Sequence, residues 1–361
     1  MKNKIISAAA ATLLAACALA SCSSESVMTY GSHSINENEF SYYLATYKGK
    51  YAQTYADFKN TPEYFSSVVT DDGQTVEDVL YSAVVHNVEM TLVCEQMFDD
   101  YGLSLSRSVE DTINSYIDDF VDEYADGSRN KFNAALGAYG VNINMLKKIY
   151  LRDEKVSALY DALYGTNGII GITDEDRQNY LDENYVRVRH IYVNNKYMYA
   201  TDEDGVQEYT DDGLRKKREL TAEELAAKQA LIDAIDESLA EGADFDEVYD
   251  AFSEDKYYKN GYYISENMDF IEDVMDSAMS LEVGEYKKIE TDYGTHYIMR
   301  LEMDEKPWEN EDNSDFFDGY DTTVGQALFA DMAEEKISEV VLNEKVLGEY
   351  TMADSAINYR F

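Results

Sequence analysis

Cysteine, proline and positively charged residues are scarce in this chain of 361 residues. Two of the three cysteines, Cys17 and Cys22, lie close to the N-terminus, so the remaining Cys94 has no partner for an internal disulfide framework. Cys94 falls in the apolar pattern of a predicted helix, where a free cysteine behaves as a small core residue. The two prolines, Pro62 and Pro307, leave the chain poor in rigid linkers.

Histidine is also rare, with four copies in the whole sequence. These histidines and Cys94 do not have the spacing of zinc ligands, which usually occur as close pairs along the chain. We therefore predict no metal site, and no other cofactor is indicated by the sequence.

The charge of the chain is strongly one-sided. It has 72 acidic and 30 basic residues, for a formal net charge of −42. A surface this acidic repels nucleic acid and anionic lipid headgroups, which argues against nucleic acid as a partner. The 32 tyrosines offer apolar area with a polar tip, which suits both cores and promiscuous binding surfaces.

The N-terminal segment has the pattern of an export signal. Lys2 and Lys4 precede an uncharged, mostly apolar run at residues 5–20, which is shorter than the roughly 20 apolar residues of a membrane-spanning helix. A charged start, a short apolar core and small residues before a cleavage point are typical of a secretory signal. The ending, Leu19-Ala20-Ser21-Cys22, resembles a lipobox, in which the cysteine is acylated and becomes the new N-terminus.

We therefore predict a signal peptide at residues 1–21, lipidation at Cys22 and a polar tether at residues 22–33. This places the protein on the extracytoplasmic face of the cell membrane, held by its lipid. Cleavage before Cys17 would leave a very short apolar core, so Cys22 is preferred. The alternative is an ordinary secretory signal with an incidental cysteine. No later apolar stretch is long enough to span a membrane.

Residues 34–184 have the pattern of a helical bundle. Apolar residues recur at helical spacing with acidic residues on the outer faces, and no strand-like alternation interrupts them. Capping-box pairs open three of the predicted helices: Asn36 with Glu39, Thr75 with Asp78, and Thr173 with Asp176.

Residues 185–303 change to a mixed pattern. Residues 186–193 alternate with period two and predict a strand, and residues 196–222 predict a hairpin insertion with a turn at Asp204-Gly205. Thr221 with Glu224 opens a helix, followed by short helices near 245–252 and 270–280 and a strand at 295–301. Strands interleaved with helices in this way predict an α+β fold.

Three sequence blocks in this region resemble parvulin-type peptidyl-prolyl isomerases, and they occur in the order of that family. The first is Arg189-His190-Ile191. The second is GADFDE at 242–247, followed by FSED at 252–255 and Gly261. The third is LEVGE at 281–285, followed by TDYGTHYI at 291–298. Each block alone is weak, but together they identify the region as a parvulin-like domain.

The resemblance implies a set of site residues. It makes His190 and His296 the family's back-to-back histidine pair, Asp255 the Cys/Asp position that faces the substrate, and Tyr293 the residue three before the second histidine. It also assigns an apolar slot for the proline ring to Tyr263, Phe270, Ile271 and Val274. Both histidines could instead be structural residues that fix the hydrogen-bond network of the fold.

The chain departs from the family at the proline slot. The double-glycine turn is replaced by Asn260-Gly261-Tyr262-Tyr263-Ile264, and Val274 stands where a large ring is usual. The smaller side chain would open the pocket unless Phe270 or Tyr263 refills it. We therefore expect weak isomerase activity.

The wider layout resembles PrsA/SurA-like foldases. It implies a helical chaperone-like domain at 34–184, an inserted parvulin-like domain at 185–303, an acidic linker at 304–319, and a C-terminal helix and tail at 320–361 that return to the first domain. The helix is predicted over residues 320–345. The implied function is an isomerase that helps unfolded or proline-containing exported polypeptides to fold. The alternative is a catalytically weak or inactive chaperone for unfolded secreted clients. The sequence gives no oligomeric state.

Overall fold

The computed structural model describes residues 25–266, 268 and 270–361 of the chain. The predicted signal peptide and Cys22 lie outside the described residues. The described chain divides into two compact units, one formed by residues up to Leu163 together with residues 329–361, and the other by residues 164–328. Within these ranges, no helix is long and apolar enough to cross a membrane.

The first unit is mainly helical. Its capping boxes at Asn36 and Thr75 are confirmed, since each side chain and its partner three residues later exchange hydrogen bonds with the backbone. The elements before the second unit are β1 (Ser26–Tyr30), β2 (His33–Asn36), α1 (Glu37–Thr54), α2 (Pro62–Phe65), α3 (Val76–Asp100), α4 (Arg107–Ala125), α5 (Arg129–Leu136) and α6 (Ile143–Tyr164).

The tether predicted at residues 22–33 is wrong from Ser26 onward. Ser26–Tyr30 form β1, which pairs with β2 in an antiparallel hairpin. Val27 and Met28 are buried in the core of the first unit, and burial of these two apolar side chains stabilises the strand. The polar residues before them show no strand pattern, and the second pairing partner of the strand, Val341–Leu342, lies far along the chain.

A buried ionic cluster lies beside this core. Arg152 on α6 is 1% exposed, and its Nε donates to Glu95 Oε2 at 2.6 Å. Its guanidinium also lies 3.5 Å from Glu39 Oε1 and donates to the carbonyl oxygen of Ser34 at 3.3 Å. Lys155 adds a second cation, 3.2 Å from Glu95. Buried charges require such pairing, because an isolated charge loses its hydration without compensation.

The second unit combines helices with an antiparallel sheet, so the predicted α+β class is confirmed. The capping boxes at Thr173 and Thr221 are present as predicted. Its elements are α7 (Asp174–Asn184), β3 (Tyr185–Val193), β4 (Met198–Tyr199), β5 (Lys217–Arg218), α8 (Ala222–Ala240), α9 (Phe245–Phe252), β6 (Tyr262–Ser265), α10 (Glu272–Ser280), β7 (Tyr286–Glu290), β8 (Thr295–Leu301), α11 (Ser314–Phe317) and α12 (Tyr320–Ile337), the last of which continues into the first unit.

The main sheet of this unit has the strand order β6-β3-β8-β7, with every neighbouring pair antiparallel. Because successive side chains point to opposite faces of the sheet, β3 contributes side chains to two hydrophobic cores, one on each face. Ile191 and Val193 pack with residues of α8 and α9, whereas Val186 and Val188 pack with residues of α10. His190 lies on the second of these faces by the same alternation.

The insertion at residues 196–222 forms a β-hairpin that contains two turns. β4 pairs with β5, and further bridges join Thr201 to Gln207 and Tyr209 to Arg215. The predicted turn at Asp204-Gly205 is present, since Gly205 has a φ of +80° and its N–H donates to the carbonyl of Asp202. A second turn, closed by the N–H of Gly213 on the carbonyl of Thr210, brings the chain back to β4.

The acidic segment at 304–319 is not an extended linker. It contains two short 3₁₀ turns, Pro307–Glu309 and Glu311–Asn313, and then α11. The ring of Phe317 is buried, 5.0 Å from the ring of Tyr263, and Trp308 stacks on Tyr320 at 5.8 Å. The aromatic residues dispersed among the acids therefore anchor the segment to the second unit.

The C-terminal helix is shorter than the sequence predicts. The pattern predicts a helix over residues 320–345, but α12 ends at Ile337. The chain then forms β9 (Val341–Leu342), which pairs antiparallel with β1, and the short helix α13 (Glu344–Leu347). Buried Val346 and Leu347 join the core of the first unit.

Candidate functional site

Two histidines meet on the α10 face of the main sheet. The register pairs Tyr192 on β3 with His296 on β8, which puts His190 diagonally opposite His296 on the same face. Their rings are nearly parallel, with centroids 5.1 Å apart, and His190 Nε2 lies 2.8 Å from His296 Nδ1. Both side chains are buried. The structure therefore brings together the two histidines that the sequence singled out.

Both imidazoles are neutral at neutral pH. Burial, reinforced by the neighbouring His296, lowers the pKa of His190 to about 3. Burial also lowers the pKa of His296 to about 4, against the opposing effect of Asp273. A neutral pair with pKa values this low is a poor source of protons near pH 7. The pair is therefore suited to holding a fixed hydrogen-bond network.

The network runs from Thr291 through both histidines toward Asp255. The Tyr293 N–H donates to Thr291 Oγ1, which leaves the hydroxyl proton of Thr291 free to donate to His296 Nε2 at 2.8 Å. His296 Nδ1–H then donates to His190 Nε2, and His190 Nδ1–H faces Asp255 Oδ2 at 3.8 Å. This assignment of tautomers is favoured because an ionised carboxylate can only accept.

Asp255 is the charged group at the outer end of this network. Its side chain is 26% exposed, and its Oδ1 accepts from the N–H of Tyr257 at 3.1 Å. The hydroxyl of Tyr262 donates to Oδ2. Burial and the hydrogen bond to Asp255 raise the pKa of Tyr262, which therefore stays protonated and remains a donor. The carboxylate is thus held in place by two donors and still reaches solvent.

The loop that carries Asp255 is fixed to β3. Ser253 Oγ accepts from the N–H of Tyr192 at 3.1 Å and donates to the carbonyl of Asp255 at 2.7 Å. The N–H of Glu254 donates to the carbonyl of Tyr192 at 2.8 Å. The turn that leads into His296 is fixed on the same strand, because a Cβ at Gly294 would lie 2.3 Å from the carbonyl oxygen of Val193. Glycine permits this close approach.

Tyr293 lies at the exposed edge of the site. Its ring is 46% exposed, and its carbonyl accepts from the hydroxyl of Tyr192 at 2.7 Å. The Tyr192 ring lies 5.1 Å from that of His296. Tyr293 is therefore accessible to a bound chain and linked through its backbone to the histidine network.

The predicted proline slot is only partly formed by the predicted residues. Phe270 is half-buried, with its ring 5.9 Å from that of Tyr262, and Ile271 is the half-buried residue before α10. Val274 is buried in the core with Val188, so it cannot line a slot. The floor next to Asp255 is therefore built from Phe270 and Tyr262.

Tyr263 does not face the candidate site. The register of β6 pairs Tyr262 with Val188 and Tyr263 with Arg187, so the two tyrosines point to opposite faces of the sheet. Tyr263 is fully buried and donates to Asp304 Oδ2 at 2.7 Å. Tyr263 therefore does not line the candidate site, contrary to the sequence-based prediction, and Tyr262 lies there instead. The alternation shared with His190 is the sequence signal that could have identified Tyr262.

Among the described residues, no group of histidine, cysteine, aspartate and glutamate side chains is arranged to hold a metal ion. Cys94 is buried, and burial raises the pKa of its thiol, as expected for an unreactive core cysteine. The candidate site presents a carboxylate, tyrosine hydroxyls and neutral imidazoles.

The chain is similar to known proteins in one of three comparisons. No protein-family model matches it, and no curated protein matches it. Among solved structures it is similar to PrsA from Bacillus cereus, with 18% identity, coverage of 90% of this chain and 96% of that one, and a TM-score of 0.26. PrsA from Bacillus subtilis gives 18% identity, coverage of 75% and 91%, and a TM-score of 0.24.

A third match is NmPin, the parvuline of Nitrosopumilus maritimus, with 21% identity, coverage of 33% of this chain and 97% of that one, and a TM-score of 0.21. TM-scores this low carry no functional detail. The solved structures similar to this chain thus include PrsA foldases and a parvuline.

Proposed function

We propose that the protein is an extracytoplasmic foldase whose second unit is a parvulin-type peptidyl-prolyl isomerase. The observation that carries this proposal is the buried, neutral His190–His296 pair, which is hydrogen-bonded to Thr291 and faces the partly exposed carboxylate of Asp255 at 3.8 Å. Such an arrangement presents one fixed negative charge beside the aromatic floor of Phe270 and Tyr262. Its substrates would be unfolded or proline-containing exported polypeptides.

The carboxylate can lower the rotation barrier without a covalent step. Resonance places partial negative charge on the oxygen of a planar amide and gives the bond its barrier of about 18–20 kcal/mol. The twisted amide has lost this resonance, so its oxygen carries less charge. A fixed carboxylate next to that oxygen disfavours the planar form more than the twisted one, which accelerates isomerisation. In this mechanism Asp255 is the catalytic residue, the Tyr262 hydroxyl and the Tyr257 N–H position it, and His190 and His296 form the buried base of the site behind it.

Replacing Asp255 with asparagine is expected to lower the isomerisation rate of Xaa-Pro peptides at least about tenfold, because the charge that acts on the amide is removed. Exchange spectroscopy on peptides measures this rate. Glu237→Gln removes an exposed carboxylate from α8 and should leave the rate unchanged. An unchanged rate in both Asp255→Asn and His190→Ala, with the fold intact by circular dichroism, would exclude this site.

The second candidate function is that of a chaperone without useful catalysis. Two observations favour it: the buried position of Val274, and a cleft of about 260 Å³ in the first unit. The cleft is lined by Ile113, Tyr116, Phe120, Tyr150, Asp153 and Glu154, a mixture suited to apolar segments. The chaperone function would be supported, and the isomerase function excluded, by two results together. The wild-type protein would isomerise Xaa-Pro peptides no faster than the uncatalysed background, and it would suppress aggregation of an unfolded client at stoichiometric ratio.

The layout of the chain supports the foldase proposal. The first unit is built from residues on both sides of the second, which is the order of a helical domain with an inserted isomerase domain. We therefore propose that the first unit is the chaperone-like domain, completed by the chain that returns in α12, β9 and α13.

The lipid anchor at Cys22 belongs to the same proposal. Replacing Cys22 with serine is expected to move the protein from the membrane fraction to the soluble extracytoplasmic fraction and to abolish labelling with a radioactive fatty acid. Cys17→Ser is the matched control and should stay membrane-bound, since this cysteine is removed with the signal peptide. Lipid labelling that survives in Cys22→Ser and disappears in Cys17→Ser would reverse the assignment.

A further inference from the structure

The hairpin insertion carries the densest basic run in this acidic chain. Residues 215–218 read Arg-Lys-Lys-Arg. Because side chains alternate along a strand, Arg215 and Lys217 lie on one face of the ribbon, and Lys216 and Arg218 lie on the other. The two faces differ in how their charges are compensated.

The second face is neutralised within the protein. Lys216 Nζ lies 2.9 Å from Glu208 Oε2, and the guanidinium of Arg218 binds both carboxylate oxygens of Glu224, the closer at 2.6 Å. The first face has no such compensation. In the described part of the chain, neither Arg215 nor Lys217 forms an ion pair.

Arg215 and Lys217, the two cations without an ion pair, each contact a tyrosine ring. Arg215 lies over the ring of Tyr199 at 3.8 Å, and Lys217 lies over the ring of Tyr197 at 4.0 Å. Cation–π contacts of this kind position a charge and leave it unneutralised. Both cations are exposed, so their remaining donors are available to a ligand.

This charged face borders the candidate isomerase site. Lys217 Nζ lies 5.7 Å from the ring of Tyr293, whose backbone is hydrogen-bonded to Thr291 and Tyr192 in the histidine network. An extended polypeptide advances about 3.4 Å per residue, so a side chain within two residues of a proline bound beside Tyr293 can reach the two cations.

We propose that Arg215 and Lys217 form a subsite that binds a carboxylate side chain of the substrate, an aspartate or glutamate within two residues of the proline. This inference rests on the proposed isomerase function, because it assigns a substrate preference to the same site. The subsite opposes the repulsion that a chain of net charge −42 would otherwise exert on acidic clients. The insertion thereby widens the range of sequences that the site accepts.

The test compares peptides that carry glutamate or glutamine at the two positions before or after the proline. The wild-type protein is expected to favour a glutamate peptide in kcat/KM by about threefold to fivefold, the ratio of an exposed ion pair. The preference should vanish in the double variant Arg215→Gln/Lys217→Gln and should shrink with added salt. Lys216→Gln, which removes a charge from the neutralised face, is the matched control and should retain the preference for the glutamate peptide.

Binding measured by nuclear magnetic resonance separates the two proposals. If neither peptide is isomerised but the glutamate peptide binds more tightly and shifts the amide signals of Tyr293 and Lys217, the subsite stands and the isomerase function fails. Equal kcat/KM and equal affinity for the two peptides in the wild type would overturn the subsite and leave the isomerase proposal intact. A preference that survives in the double variant would overturn it as well.

Discussion

Lowering the pH from 7 to 5 is expected to destabilise the second unit by about 4 kcal/mol through His190 and His296 alone. An unfolded histidine has a pKa near 6.5, whereas burial lowers the folded values to about 3 for His190 and about 4 for His296. Below pH 6.5 the unfolded chain therefore binds two protons that the folded chain does not. Stability is complete above pH 6.5 and falls by about 1.4 kcal/mol per pH unit for each histidine as the pH decreases toward 4.

The single tryptophan makes this effect measurable. Trp308 belongs to the second unit and stacks on Tyr320, so its fluorescence follows the urea unfolding of that unit. The double variant His190→Gln/His296→Gln should lose this part of the pH dependence, and the difference from the wild type removes the contribution of the many carboxylates. His86→Gln alters an exposed histidine of the first unit and is the control.

An identical slope in the wild type and the double variant would contradict the prediction. If the double variant does not fold, a titration of the wild-type imidazoles by nuclear magnetic resonance gives the same information. Two of the four histidines should then remain neutral at pH 5.

Replacing Arg152 with methionine is expected to cost the first unit about 3–5 kcal/mol of folding free energy. Methionine retains much of the volume but leaves Glu95 and Glu39 buried without their central cation, and breaking a buried ion pair costs this much. Lys155 and Lys148 still contact these carboxylates, which favours the lower end of the range. Urea unfolding followed by far-ultraviolet circular dichroism, which is dominated by the helices, measures the loss.

Two further variants separate charge from volume. Arg129→Met breaks an exposed ion pair with Asp118 and should cost less than about 1 kcal/mol. Adding Glu95→Gln to Arg152→Met should recover part of the loss, because one uncompensated charge is removed. A cost for Arg152→Met no larger than that for Arg129→Met would show that the cluster does not stabilise the fold.

Local sequence patterns correctly predicted the structural features that depend on interactions between residues close in the chain. The capping boxes at Asn36, Thr75, Thr173 and Thr221 each involve two residues three positions apart, and all four are present. The pairing of His190 with His296 was also accessible, because each lies in a strand with a recognisable motif. Alternation along those strands then places both on one face.

Sequence patterns did not predict the structural features that depend on strand register or on partners far along the chain. Assigning Tyr263 instead of Tyr262 to the site was an error of one residue, and one residue reverses the face of a strand. The strand at Ser26–Tyr30 was missed because its second partner is Val341–Leu342. Arg152 gave no signal at all, because its partners Glu39 and Glu95 come from other helices and pair with it only in the folded unit.

The pairing of β1 with β9 has a consequence for the order in which the chain folds. The first unit cannot close its small sheet until residues beyond 340 are available, and the N–H of Asn358 must also reach the carbonyl of Ala45. The second unit is continuous in sequence from residue 164 to residue 328. In a chain that emerges with its N-terminus first, the second unit can therefore fold completely before the last strand of the first unit is available for pairing.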